Sequence, residues 1–131
     1  MRRMLFPNLP VKDLERSRAF FTALGFRFEP QFSDDQAACM VVEDNIFVML
    51  LSEDRFRDFV NGEISDAHRA QEVILTLSAE SRQEVDDLVS RALAAGGRPW
   101  RPTFAEGDMY VGSFQDPDGH VWEAAYLPQP A

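Results

Sequence analysis

Residues 9–26 read LPVKDLERSRAFFTALGF, and the order of chemistry within them decides the fold. Leu5–Val11 has the make-up of a short strand. Pro7 and Pro10 place that strand at a sheet edge or with its amide toward solvent, because proline has no N–H to give a ladder. Asp13 then stands as a helix cap, and Leu14, Ser17, Phe21 and Leu24 recur at spacings of three, four and three. Ala19, Phe20 and Ala23 widen the same face, and Gly25 sits where a left-handed residue ends a helix. A strand feeding a helix in this way opens a mixed α and β unit.

The pattern downstream supplies the rest of that unit. Strand-like runs cover Phe26–Phe32, Ala37–Val42 and Ile46–Ser52, with Glu43-Asp44-Asn45 as a tight turn between the last two. Residues 53–70 are weaker: Phe56, Phe59 and Val60 fit one or two helical turns before Asn61-Gly62 breaks the pattern. Then the order restarts. Val73, Leu75 and Leu77 alternate as a half-buried strand does. Ser81 and Glu84 form a capping box for a helix whose buried stripe is Val85, Leu88, Val89, Ala92 and Leu93, stopped by Gly96-Gly97. Strands near Arg98–Phe104, Met109–Gln115 and His120–Leu127 follow, the last two joined by the turn Asp116-Pro117-Asp118-Gly119. The chain thus reads as α+β, a βαβββ unit written twice: module one over about 1–60, a linker near 61–71, module two over about 72–128, together one domain over 1–131.

Bulk composition narrows the function classes. A chain of 131 residues with 45% apolar and 27% charged residues is ordinary for one globular domain. A net charge of −9 argues against nucleic acid or an anionic membrane surface as partner. No apolar run approaches the roughly 20 residues that span a bilayer, and no signal-length apolar stretch follows Arg2-Arg3. Cys39 is the only cysteine, so no internal disulfide forms, which suits a reducing, cytoplasmic setting. Nucleophile-elbow, phosphate-loop, dinucleotide-binding and HExxH motifs are absent from the sequence.

Two stretches, LPVKDLERSRAFFTALGF at 9–26 and FQDPDGHVWE at 114–123, together with the repeated βαβββ order, resemble the vicinal oxygen chelate superfamily of glyoxalases, bleomycin-resistance proteins and extradiol dioxygenases. The resemblance implies a curved, eight-stranded cup built from two modules, usually in a homodimer, with ligand or metal inside. It also implies where a metal would be held, on the first, fourth, fifth and eighth strands. The eighth-strand position falls on Glu123, with its register fixed by the DPDG turn. The first-strand position falls on Phe6, the fifth on Glu72 if Val73, Leu75 and Leu77 set the register, and the fourth near Met49–Leu51, where the only donor is a thioether. Strand parity puts Val121 and Ala125 on the face of Glu123, with His120 and Trp122 on the other. A two-histidine-one-carboxylate set is therefore missing, and Glu72 with Glu123 alone would hold a divalent ion only loosely, through water.

The expectation that follows is a small-molecule-binding protein of the bleomycin-resistance kind, with no cofactor or resident metal, taking a cationic aromatic ligand in an acidic, aromatic cup. The pocket set is Glu123, Glu72, Phe6, Asn8, Met49, Trp100, Phe104 and Tyr110. Each has a plainer alternative. Glu123 could cap or pair with an arginine, Glu72 could be a solvated strand start, and the aromatics could be core. Trp122 reads as an anchor between sheet and helix, Cys39 as a small buried residue, and His68 has no visible partner. The rival readings are a metal-dependent glyoxalase-type lyase or dioxygenase, and a non-catalytic scaffold.

Overall fold

The computed structural model describes residues 2–128, and the chain divides between Ser65 and Asp66 into two compact units. In the first unit, β1 (Asn8–Val11) leads into α1 (Leu14–Ala23), followed by β2 (Arg27–Phe28), β3 (Ala37–Glu43), β4 (Ile46–Ser52) and a short α2 (Glu53–Arg57). The sheet runs β1-β4-β3-β2, with β1 parallel to β4 and the other pairs antiparallel. β1 is an edge strand, as its prolines require. Asp13 caps α1, accepting the Arg16 amide at 3.1 Å, and Leu14, Ser17, Phe20 and Phe21 are the buried stripe. Arg18 of α1 lies over Phe28, which pairs with Met40, so the helix covers the face that carries Met40, Val48, Leu50, Leu9 and Val11. All five are buried.

The second unit repeats this plan. β5 (Ile74–Ala79) leads into α3 (Arg82–Ala94), then β6 (Arg98–Pro99), β7 (Phe104–Glu106), β8 (Met109–Gln115) and β9 (Val121–Tyr126). Its order is β5-β9-β8-β6, with β7 also on β8, and again the first and last strands are parallel. Ser81 accepts the Glu84 amide at 3.0 Å as the capping box requires, but the Glu84 carboxylate takes the Glu80 amide at 2.8 Å, one residue before the cap. Gly112 faces α3, where a Cβ would stand 2.8 Å from Val89 and 2.9 Å from Val85, so the helix sits close on that strand.

Three expectations about the elements are corrected. The strand over 26–32 stops at Phe28, because Pro30 has no amide for the ladder and starts a 3-10 turn over Pro30–Phe32. The strand over 98–104 splits into β6, which ends on Pro99, and β7, with Pro102 removing an amide between them, and Gly107 (φ 60°) turns β7 back into β8. The described sheets therefore hold four and five strands, and Glu123 lies on β9. Leu93 leaves the buried stripe of α3 and is 41% exposed.

The β8–β9 turn is held by one carboxylate. Asp116 is 1% exposed; its Oδ1 accepts the amides of Asp118 (2.9 Å) and His120 (3.0 Å), and its Oδ2 accepts the Trp122 indole N–H (3.0 Å). Burial pushes its pKa above the ordinary carboxylate value, against the pull of the His120 charge and these donors. His68 has a structural part here: its Nε2 donates to the Pro117 carbonyl at 3.2 Å, and a Cβ on Gly119 (φ 87°) would meet the His68 amide nitrogen at 2.7 Å. Replacing Asp116 by Ala strands three buried donors. It should cost about 2–4 kcal/mol, read as a lower urea midpoint at unchanged slope, whereas an unchanged midpoint would show that water takes over those donors.

Candidate functional site

Each sheet has one face covered by its helix and one face free of it. In the second unit the helix-free face carries Val111, Ser113, Val121, Glu123 and Ala125, because Gly112 and the residues in its phase point to α3. Trp122 accordingly points to the helix side and is 1% exposed. Glu123 stands mid-strand on β9 between Thr76 of β5 and Ser113 of β8. The Thr76 hydroxyl donates to Glu123 Oε1 at 2.8 Å. Ser113 Oγ accepts the Arg101 amide at 3.1 Å and donates to the Arg101 carbonyl at 3.3 Å, so it fastens the β6–β7 connection to the sheet. Phe104 pairs with Val111 and shares this face, and the Arg101 guanidinium lies over its ring at 5.3 Å.

The first unit's helix-free face is apolar. Phe6 stacks on Phe47 with centroids 4.9 Å apart and planes at 9°. Met49 packs on the buried group of Cys39, Val41 and Phe47. Asn8 pairs with Met49 across the ladder, and its Nδ2 donates to the Phe6 carbonyl at 2.7 Å. Burial, with the Glu29 charge adding to it, pushes the Cys39 thiol above its ordinary pKa, so it stays protonated and inert. A surface depression of about 410 Å³ lined by Gly25–Arg27 and Val41–Asp44 contains none of the expected pocket residues.

The two units also correct the register assumed for Glu72. Phe6 stands seven residues before the cap Asp13, and the residue seven before the cap Ser81 is Ile74. By the same count Asn8 matches Thr76, and their ladder partners Met49 and Glu123 match each other. Glu72 is exposed and precedes the β5–β9 ladder, which begins at Ile74 opposite Val121. Tyr110 is on the helix side, its hydroxyl donating to Asp86 of α3 at 2.7 Å under the Arg82 guanidinium. Trp100 lies in the β6–β7 connection, 37% exposed. Of the expected set, the second unit keeps Glu123 and Phe104 on one face, and the first keeps Phe6, Asn8 and Met49 on one face. Thr76, Ser113 and Arg101 were not anticipated. Only Thr76 carried a signal, as the polar member of the alternating Ile74–Ala79 strand.

Four matched positions, Phe6, Met49, Ile74 and Glu123, thus supply one carboxylate and one thioether. Among the described residues no group of three or more His, Cys, Asp or Glu could hold a metal ion. This donor set does not fit the octahedral or facial-triad centres of the metalloenzymes that share such folds.

Comparison with known proteins agrees with the geometry. The sequence profile of the bleomycin resistance protein-like N-terminal family matches residues 3–43. A hypothetical protein from S. aureus, SA1046, is 26% identical, with 97% of this chain and 95% of that chain covered and a TM-score of 0.83. A glyoxalase-related enzyme from Fulvimarina pelagi is 24% identical over 100% of this chain and 94% of its own, with a TM-score of 0.80. A glyoxalase/bleomycin resistance protein/dioxygenase family enzyme from Burkholderia phytofirmans PsJN shares the fold at 15% identity, covering 97% of this chain and 100% of its own, with a TM-score of 0.80. No functionally curated protein matches. The α+β fold is that of the glyoxalase/bleomycin-resistance proteins, and the match to the bleomycin resistance protein-like family covers the N-terminal third of the chain. No described helix is long and apolar enough to cross a membrane.

The face assignment is testable through the two tyrosines. The hydrogen bond to Asp86 raises the Tyr110 pKa above its ordinary value. Spectrophotometric titration should show one tyrosine ionising late. Asp86→Asn should bring it earlier and Glu123→Gln should leave it in place; a shift caused by Glu123→Gln would put Tyr110 on the wrong face here.

Proposed function

We propose that this protein binds a small, flat organic cation on the helix-free face that presents Glu123, and that it does so without a resident metal. The observation that carries this reading is the state of Glu123 itself. It is half-buried in mid-strand, Thr76 occupies Oε1, and among the described residues no cationic side chain pairs with it. A partly desolvated carboxylate gains from a positive or hydrogen-bonding partner. Phe104 places an aromatic ring on the same face, beside which a planar ligand can lie. Catalysis of the glyoxalase type would need the donor set that the matched positions lack.

The protein would act as a homodimer. Leu5 (61% exposed), Val73 (49%) and Ile74 (51%) leave apolar side chains on or beside the edge strands of the two sheets, a pattern that association would cover. Light scattering should give twice the chain mass at micromolar concentration, and a stable monomer there would refute the dimer.

Glu123→Gln keeps the shape and removes the charge. Calorimetric titration of matched cationic and neutral aromatic compounds should show the cation favoured by the wild-type protein and its binding weakened by about 1–3 kcal/mol in the variant. Equal affinities within each pair, or an indifferent variant that remains folded, would make Glu123 a structural residue.

A further inference from the structure

The helix-free face of the second sheet presents charge of both signs in one row. Thr76, Glu123 and Ser113 are direct cross-strand neighbours on β5, β9 and β8, and the Ser113 hydroxyl is bonded to both the amide and the carbonyl of Arg101. The backbone of Arg101 is thereby fixed at one end of a row whose other end is Thr76. Its side chain turns onto Phe104, whose pairing with Val111 sets it on this same face. Arg101 is exposed and forms no ion pair with a carboxylate among the described residues. A guanidinium resting 5.3 Å from a ring centroid keeps its planar fork of donors, the group that takes a carboxylate in bidentate fashion. A solvated surface arginine would need neither the Ser113 anchor nor the aromatic rest.

Extending the cation reading above, on which this rests, we infer that the ligand is bipolar: an amine or amidine at one end for Glu123, a flat ring system, and a carboxylate at the other end for Arg101. Successive strands are about 4.8 Å apart, and the guanidinium reaches beyond Ser113, so the two charged groups of the ligand stand roughly 10 Å apart. The serine hydroxyl between them is committed to the Arg101 backbone. The middle of the ligand therefore meets the half-buried Phe104 ring and needs no strong polar group of its own.

The test uses three naphthalene probes and the full-length chain: 6-(aminomethyl)-2-naphthoate, 2-naphthylmethylamine and 2-naphthoate. Wild-type protein should bind the amino acid at least tenfold more tightly than the amine. Arg101→Gln should remove that advantage and leave the amine unchanged, while Arg101→Lys, which keeps the charge but not the planar fork, should fall between. Glu123→Gln should weaken both amine-bearing probes. Equal wild-type affinities for amine and amino acid, or an Arg101→Gln variant that weakens both alike, would overturn the bipolar ligand while leaving the cation reading standing. Naphthoate binding that depends on Arg101, with Glu123→Gln silent, would overturn both readings and define an anion site instead. Failure of all three probes to bind would also overturn both.

Discussion

The buried carboxylate of Asp116 is the contact on which the second unit's geometry depends. One side chain takes two turn amides and the Trp122 indole, so the turn, the start of β9 and the sheet-to-helix anchor are locked together. That lock sets the antiparallel register in which Ser113 faces Glu123 and Phe114 faces Trp122. A slip of one residue would send Glu123 against α3 and Trp122 onto the helix-free face, exchanging a large ring packed on the helix for a buried charge. The position of Glu123 is thus enforced by the turn and by the helix-side anchor. His68 adds a clasp from outside the sheet, and Gly119 is the residue whose missing Cβ lets it close.

The parallel pairing of first and last strands does equivalent work in both units. In each, the strand before the helix lies beside the strand that ends the unit, so the residue five before the cap meets the middle of the last strand: Asn8 meets Met49, and Thr76 meets Glu123. The same backbone therefore presents an amide beside a thioether in one unit and a hydroxyl beside a carboxylate in the other. The first face has Phe6 stacked on Phe47 over a buried apolar group, and the second has a charge with a hydroxyl holding it in place. Repetition supplied two similar frames, and side chains made one face apolar and the other polar.

Much of this was legible in the sequence, for reasons that also explain what was not. α1 followed from three apolar spacings and a cap, and β3, β4, β8 and β9 from apolar runs bounded by Asp-Asn and Asp-Pro-Asp-Gly turns. Parity correctly set Glu123 apart from Trp122. Glu72 failed because alternation of Val73, Leu75 and Leu77 fixes the phase of a strand but not its count. The count is set by the distance to the cap Ser81, and that distance selects Ile74. Tyr110 failed because an aromatic residue suits either face of a sheet, and its partner Asp86 lies on a helix 24 residues earlier. The Arg101–Ser113 bond joins a side chain to backbone across 12 residues, a contact that leaves no periodic trace.

The make-up of the Glu123 face also bears on binding against catalysis, since the fold alone decides neither. Proton transfer at a carbon needs a base with somewhere to pass its proton, and a way to hold the charge that develops. Here the carboxylate accepts the Thr76 hydroxyl, which orients it. The described side chains nearest it across the ladders are Thr76 and Ser113, and neither titrates near neutrality. His120, the nearest imidazole in sequence, precedes β9 in the opposite phase, and its backbone amide donates to Asp116. A carboxylate with hydroxyl neighbours, an aromatic ring and a guanidinium over that ring share this face, the groups that the proposed binding of a flat, charged molecule would use.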